Sequence, residues 1–125
     1  MVNIVVMEGN LIKQPELRYT PQGTPVCTLG LANNQKVKGE DKAHFFNVVC
    51  WGKTAETVNQ YLGKGSRVLV EGELQQRRWQ DNEGKNRSVV EIVAIRVNFI
   101  NTKPKNEPLA EVPTVEADDI NEDLF

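Results

Sequence analysis

The sequence predicts a mainly β chain: a small five-stranded barrel carrying one helix, followed by an acidic tail that does not fold. Three observations carry that expectation. Up to about Asn101 the chain is a succession of short runs rich in Ile, Val and Leu, punctuated by turn residues. One stretch alone has helical spacing, and beyond Thr102 the composition turns to Pro, Glu, Asp and Asn with little apolar content. The full length of 125 residues suits one compact domain with a short appendage.

The first strand is expected within residues 2–12 and ends at the Gln14-Pro15 break. Thr20-Pro21-Gln22-Gly23 then turns the chain into a second run at 26–33. A polar segment, 34–43, leads to a third strand at 45–51. The helix is expected at 54–62, where Ala55, Val58 and Leu62 recur at i, i+3 and i+7, Thr54 can cap, Glu56 suits the first turn and Gly63-Lys64-Gly65 supplies the stop. Two further strands, 67–76 and 88–99, are joined by a long polar tip. Five strands with one helix between the third and fourth is the order of an OB-fold, a Greek-key barrel that binds oligonucleotides or oligosaccharides. Residues 1–102 form this domain and 103–125 the tail.

The formal net charge of −2 conceals two parts of opposite sign: residues 1–102 carry +3 and residues 103–125 carry −5. A cationic body suits an anionic partner, and the tail does not. No apolar run approaches the roughly 20 residues of a membrane span, and residues 1–8 have no basic leader, so a cytoplasmic location is expected. Cys27 and Cys50 form no CxxC pair and read as buried free thiols. His44, the sole histidine, has no ligand-spaced companion beyond Asp41, so no metal, cofactor or catalytic residue is expected. Glu71 and Glu73 read as strand residues facing solvent or a neighbouring subunit.

Gly52-Lys53-Thr54 imitates the end of a phosphate-binding loop, but that motif needs a glycine five residues earlier, where Asn47 stands. The intervening Val48-Val49-Cys50-Trp51 favours extended backbone. Lys53 reads instead as an exposed cation where strand gives way to helix. Alternation along that strand groups Phe45, Asn47, Val49 and Trp51 on one face and Phe46, Val48 and Cys50 on the other. The second set suits the core, which leaves two aromatics and an Asn outside. They could pack against another subunit or a covering loop, or they could stack bases. Trp79 favours stacking, since it sits between Arg77-Arg78 and Gln80-Asp81 in a polar hairpin where burial is difficult.

Three blocks, GNLIKQPELRYTPQGTPV (9–26), NVVCWGKTAETVNQYLGKGSRVLVEGEL (47–74) and RRWQDNEGK (77–85), resemble the bacterial-type single-stranded DNA-binding proteins. The resemblance implies an OB-fold subunit, assembled as a homotetramer, that binds single-stranded DNA without sequence preference and catalyses nothing. It also implies stacking by Phe45, Trp51 and Trp79, and basic positions near DNA at Lys53, Lys64, Arg77 and Arg78. The family's acidic tip docks replication and repair proteins, and here that role would fall to Asp118, Asp119, Ile120, Glu122, Asp123, Leu124 and Phe125. Leu124 stands where the family usually has Pro, and segment 34–43 lacks the aromatic often found there. Two rival readings keep the barrel: a primosome-type OB protein that holds a helicase, which the acidic tip disfavours, and an OB module for RNA or oligosaccharide.

Overall fold

The computed structural model describes residues 1–101 and a short strand at 114–116. Within them the elements are β1 (Val5–Leu11), β2 (Glu16–Tyr19), β3 (Pro25–Val37), β4 (Glu40–Trp51), α1 (Gly52–Tyr61), β5 (Arg67–Gln80), β6 (Asn86–Asn101) and β7 (Thr114–Glu116). The sheet runs β1-β5-β6-β4-β3, and β1 pairs back onto β3, so five strands close into a barrel. β2 lies outside β3, and β7 lies outside β6. All pairings are antiparallel except β4 with β6, where Val48 meets Ile92 and Val49 meets Val93. The helix falls between the third and fourth barrel strands, as expected. The remainder of the expected tail lies outside the described residues.

Closure bends β5 at a register shift between Glu71 and Gly72. A Cβ at position 72 would collide with the Val93 carbonyl, so the two strands can approach there only around a glycine. The core fills with Leu29, Leu31, Val48, Val68, Val70, Ile92, Val97 and Phe99, and α1 plugs it with Ala55 and Val58, followed by Leu62, all fully buried. Tyr61 packs at the margin of this core, its ring tilted against Phe99 at 6.4 Å.

Three local expectations change, while that of buried free thiols holds. Segment 34–43 is not a loop: β3 and β4 pair out to Val37 opposite Glu40 and turn through Lys38 and Gly39, both at positive φ (52° and 81°). Two consecutive left-handed residues form the tight hairpin turn that matches strand twist. The helix begins at Gly52 rather than Thr54. Trp51 is its N-cap residue and its side chain does not cap the helix, Thr54 is buried, and no acid lies in the first turn. Phe46 is 38 % exposed although its face is the inner one. It pairs with the buried core residue Leu31 but stays partly open to solvent. Cys27 and Cys50, distant in sequence, sit directly opposite each other in the β3–β4 ladder, both buried. Burial, with the second thiol beside it, pushes the Cys50 pKa far up.

Among the described residues no helix is long and apolar enough to cross a membrane, and no group of three or more His, Cys, Asp or Glu could hold a metal ion.

Candidate nucleic-acid interface

Strand register assembles the outer surface. Partners directly opposite in a ladder share a face, and along each strand that face recurs every second residue. Starting from Val49 opposite Val93, the outward set on β4 is Phe45, Asn47, Val49 and Trp51. On β6 it is Arg87, Val89, Glu91 and Val93, and on β5 the opposing residues are Trp79, Arg77, Gln75 and Glu73. On the far side Trp51 faces Val26, which in turn faces Arg18 of β2. Phe45, Trp51 and Trp79, widely separated in sequence, therefore lie on one continuous sheet face.

Their exposures differ. Phe45 is 64 % exposed and Trp79 42 %, with Asn47 exposed beside Phe45, but Trp51 is only 9 % exposed. Parity placed Trp51 on the correct face, yet the expectation of an open ring needs correction. Trp51 packs with Val26, Val49 and Val93 in a small apolar cluster outside the main core. This cluster forms the floor of a cleft of about 400 Å³ whose walls include Arg18, Gln76, Arg77, Arg78 and Glu91. A second, shallower hollow of about 500 Å³ adjoins it, formed by Arg78, Trp79, Gln80, Asn86, Arg87 and Ser88.

At the hairpin, the Arg77 guanidinium lies 4.8 Å from the centre of the Trp79 ring, and its Nε donates to Glu91 Oε1 at 3.1 Å. Arg78 donates to Gln76 Oε1 at 2.7 Å. The tip is organised by Asp81. Its carboxylate accepts the backbone N–H groups of Lys85 (3.0 Å) and Glu83 (2.9 Å) and the Nε–H of Arg87 (2.9 Å). The Lys85 amide first and then the Arg87 guanidinium hold the Asp81 carboxyl below the usual carboxylate range.

The glycine of the misleading Gly-Lys-Thr triplet has a structural task. Gly52 takes φ 62°, the left-handed region, exactly where strand β4 must reverse into α1. That reversal projects Lys53 into solvent in the first turn of the helix, two residues past the cleft-forming strand. Lys64 lies beyond the other end of α1, exposed in the turn before β5, and lines neither hollow. The structure thus gathers Trp51, Arg77, Arg78 and Trp79 around two adjoining hollows, sets Phe45 and Asn47 on the same sheet face, and leaves Lys64 apart. Arg18, Arg87 and Glu91 were missed by sequence reasoning. Arg18 becomes legible only through two ladder steps, from β4 to β3 to β2. Arg87 and Glu91 needed the hairpin register.

The family model of the single-strand binding protein family matches residues 2–100. The chain is 46% identical over 109 residues to single-stranded DNA-binding protein 2 of Listeria monocytogenes, covering 85% of this chain and 68% of that protein. It is 39% identical over 112 residues to the single-stranded DNA-binding protein of Helicobacter hepaticus (86% and 66%) and 44% identical over 103 residues to that of Treponema pallidum (79% and 58%). The chain thus spans roughly two thirds of the length of these relatives. The closed barrel, the outward aromatics with cations interleaved, and a family match across nearly all of residues 1–101 lead to one conclusion: this chain belongs to the single-strand binding protein family.

Proposed function

We propose that this protein binds single-stranded DNA without sequence preference and catalyses no reaction. The observation that carries the proposal is the register-continuous outer face, where Phe45, Trp51 and Trp79 are interleaved with arginines. Stacked bases contribute about 1–3 kcal/mol each on such rings and need no particular sequence, because every base has a π face. Asn47 supplies a polar contact beside Phe45. Lys53, Arg77 and Arg78 supply positive charge beside this face and Lys64 adds charge from beyond the far end of α1, giving a salt slope of about −0.7 per phosphate neutralised.

In the cell this binding protects single strands during replication, recombination and repair, in the cytoplasm and on the nucleoid. The acidic tip, Asp118, Asp119, Ile120, Glu122, Asp123, Leu124 and Phe125, recruits the enzymes of those processes. The working form is a homo-oligomer, a tetramer by resemblance to the family. A surface suited to self-association supports this: Phe46 and Val90 each lie two residues before the parallel pair Val48–Ile92, and Leu74 opposes Ile92. All three continue the inner apolar face past the rim of the barrel, where they are exposed. Covering such a face is the ordinary role of a second subunit.

Titration of intrinsic tryptophan fluorescence with a long oligothymidine, at several salt concentrations, tests the binding. Saturable quenching at a fixed nucleotide ratio, weakening with salt, is expected. A folded protein that neither quenches nor binds would move these aromatics to a protein interface and favour the helicase-holding reading.

A further inference from the structure

An acid in a cleft built for phosphates is costly unless it serves something else. Glu91 is such an acid: its side chain is 12 % exposed, and it lines the cleft among Arg18, Arg77 and Arg78. Its partner is specific. Arg77 Nε lies 3.1 Å from Glu91 Oε1, and the same guanidinium covers the Trp79 ring at 4.8 Å. The three residues are neighbours by register, since Arg77 and Trp79 alternate on β5 while Glu91 lies diagonal to Arg77 on β6, opposite Gln75. A planar guanidinium can lie over a ring and keep an N–H for a carboxylate at its edge. A point-charge ammonium cannot do both.

We infer that Glu91 is a positioning residue that pins Arg77 against one face of Trp79, so that a base of single-stranded DNA stacks on the other. This rests on the DNA-binding reading above and assigns Arg77 to backing the ring rather than to a phosphate. Two consequences follow from the charges. Arg77, already neutralised by Glu91, releases few counterions when DNA arrives. The platform is oriented before the base reaches it, so little side-chain freedom is lost on binding.

The test uses the full chain in a Trp51→Phe background, so that fluorescence reports Trp79 alone, with circular dichroism to confirm folding. Arg77→Lys keeps the charge and loses the planar fork. Glu91→Leu removes the carboxylate, and Glu91→Gln does so with less change of shape. Oligothymidine binding is expected to weaken about 3- to 10-fold in Arg77→Lys and in Glu91→Leu, with smaller quenching of Trp79. Glu91→Gln should weaken it less, and the double variant should be no worse than either single one. The Glu91 result has the sign opposite to that of charge alone, since losing a cleft acid should otherwise tighten binding. The inference is overturned if Arg77→Lys binds like its parent, if both Glu91 variants bind more tightly, or if the two losses multiply. A folded unsubstituted chain that does not bind at all overturns the DNA reading itself, and this inference with it.

Discussion

The two tryptophans share a sheet face but answer to different physics, and their replacements should part accordingly. Trp51 is packed among Val26, Val49 and Val93, so Trp51→Ala opens a cavity and should cost about 3–5 kcal/mol of stability, measured by denaturant unfolding. Trp79 stands in solvent beneath Arg77. Trp79→Ala should change stability by under about 0.5 kcal/mol while weakening oligothymidine binding by about 1–3 kcal/mol. Equal stability losses in the two variants would contradict the burial described here. The thiols offer another residue-scale check. Cys27 and Cys50 are fully buried and the Cys50 pKa is pushed up, so an aromatic disulfide reagent should titrate no thiol in the native protein and two after denaturation.

At the scale of elements, the β5–β6 hairpin is held at its tip by one carboxylate. Asp81 has a folded-state pKa below its ordinary value, so its contribution to tip order is present above the usual carboxylate range and is lost as pH falls through the depressed value. Protection of the Glu83 and Lys85 amides against exchange, taken relative to the intrinsic rate at each pH, should therefore fall in acid, and Asp81→Asn should show that lower protection already near neutrality. Unchanged protection in that variant would remove Asp81 from its organising role. Gly72→Ala forces a methyl into the Val93 carbonyl and should cost about 1–3 kcal/mol, read as a lowered melting temperature. Strands and helix were legible in the sequence because periodicity reports which side faces the core, and Ala55, Val58 and Leu62 did so correctly. Two kinds of information were not legible. Parity assigns a side chain to a face but not to a position along it, so Phe46 at the rim and Trp51 within an outer cluster looked reversed in exposure. The extension of β3 and β4 into residues 34–43 depended on a Lys38-Gly39 turn, which a lysine in the left-handed region disguised.

For the whole molecule, the division of charge sets the electrostatics. The body carries +3 and the acidic segment −5, so a chain cut after Thr102 changes from net negative to net positive. At low salt the cut chain should bind oligothymidine more tightly, and the gap should close as salt shortens the Debye length. A cut chain that binds more weakly at low salt would mean that residues 103–125 touch DNA favourably. Self-association should respond to Leu74→Glu with Val90→Glu, which charges the inner face beyond the rim and should shift sedimentation toward the single subunit. The short strand β7 adds a constraint on geography. Arg96, Val97 and Asn98 of β6 hold Glu116, Val115 and Thr114, so the acidic terminus starts from a mooring on the barrel wall rather than from residue 101. Nine residues, 117–125, then remain to carry Phe125 outward, a tether of at most about 30 Å, against about 80 Å for the 24 residues from Thr102 onward. With the mooring made, Phe125 and whatever the proposed docking role would bring to it stay within about 30 Å of the barrel wall; with it cast off, the same segment can sweep out to about 80 Å.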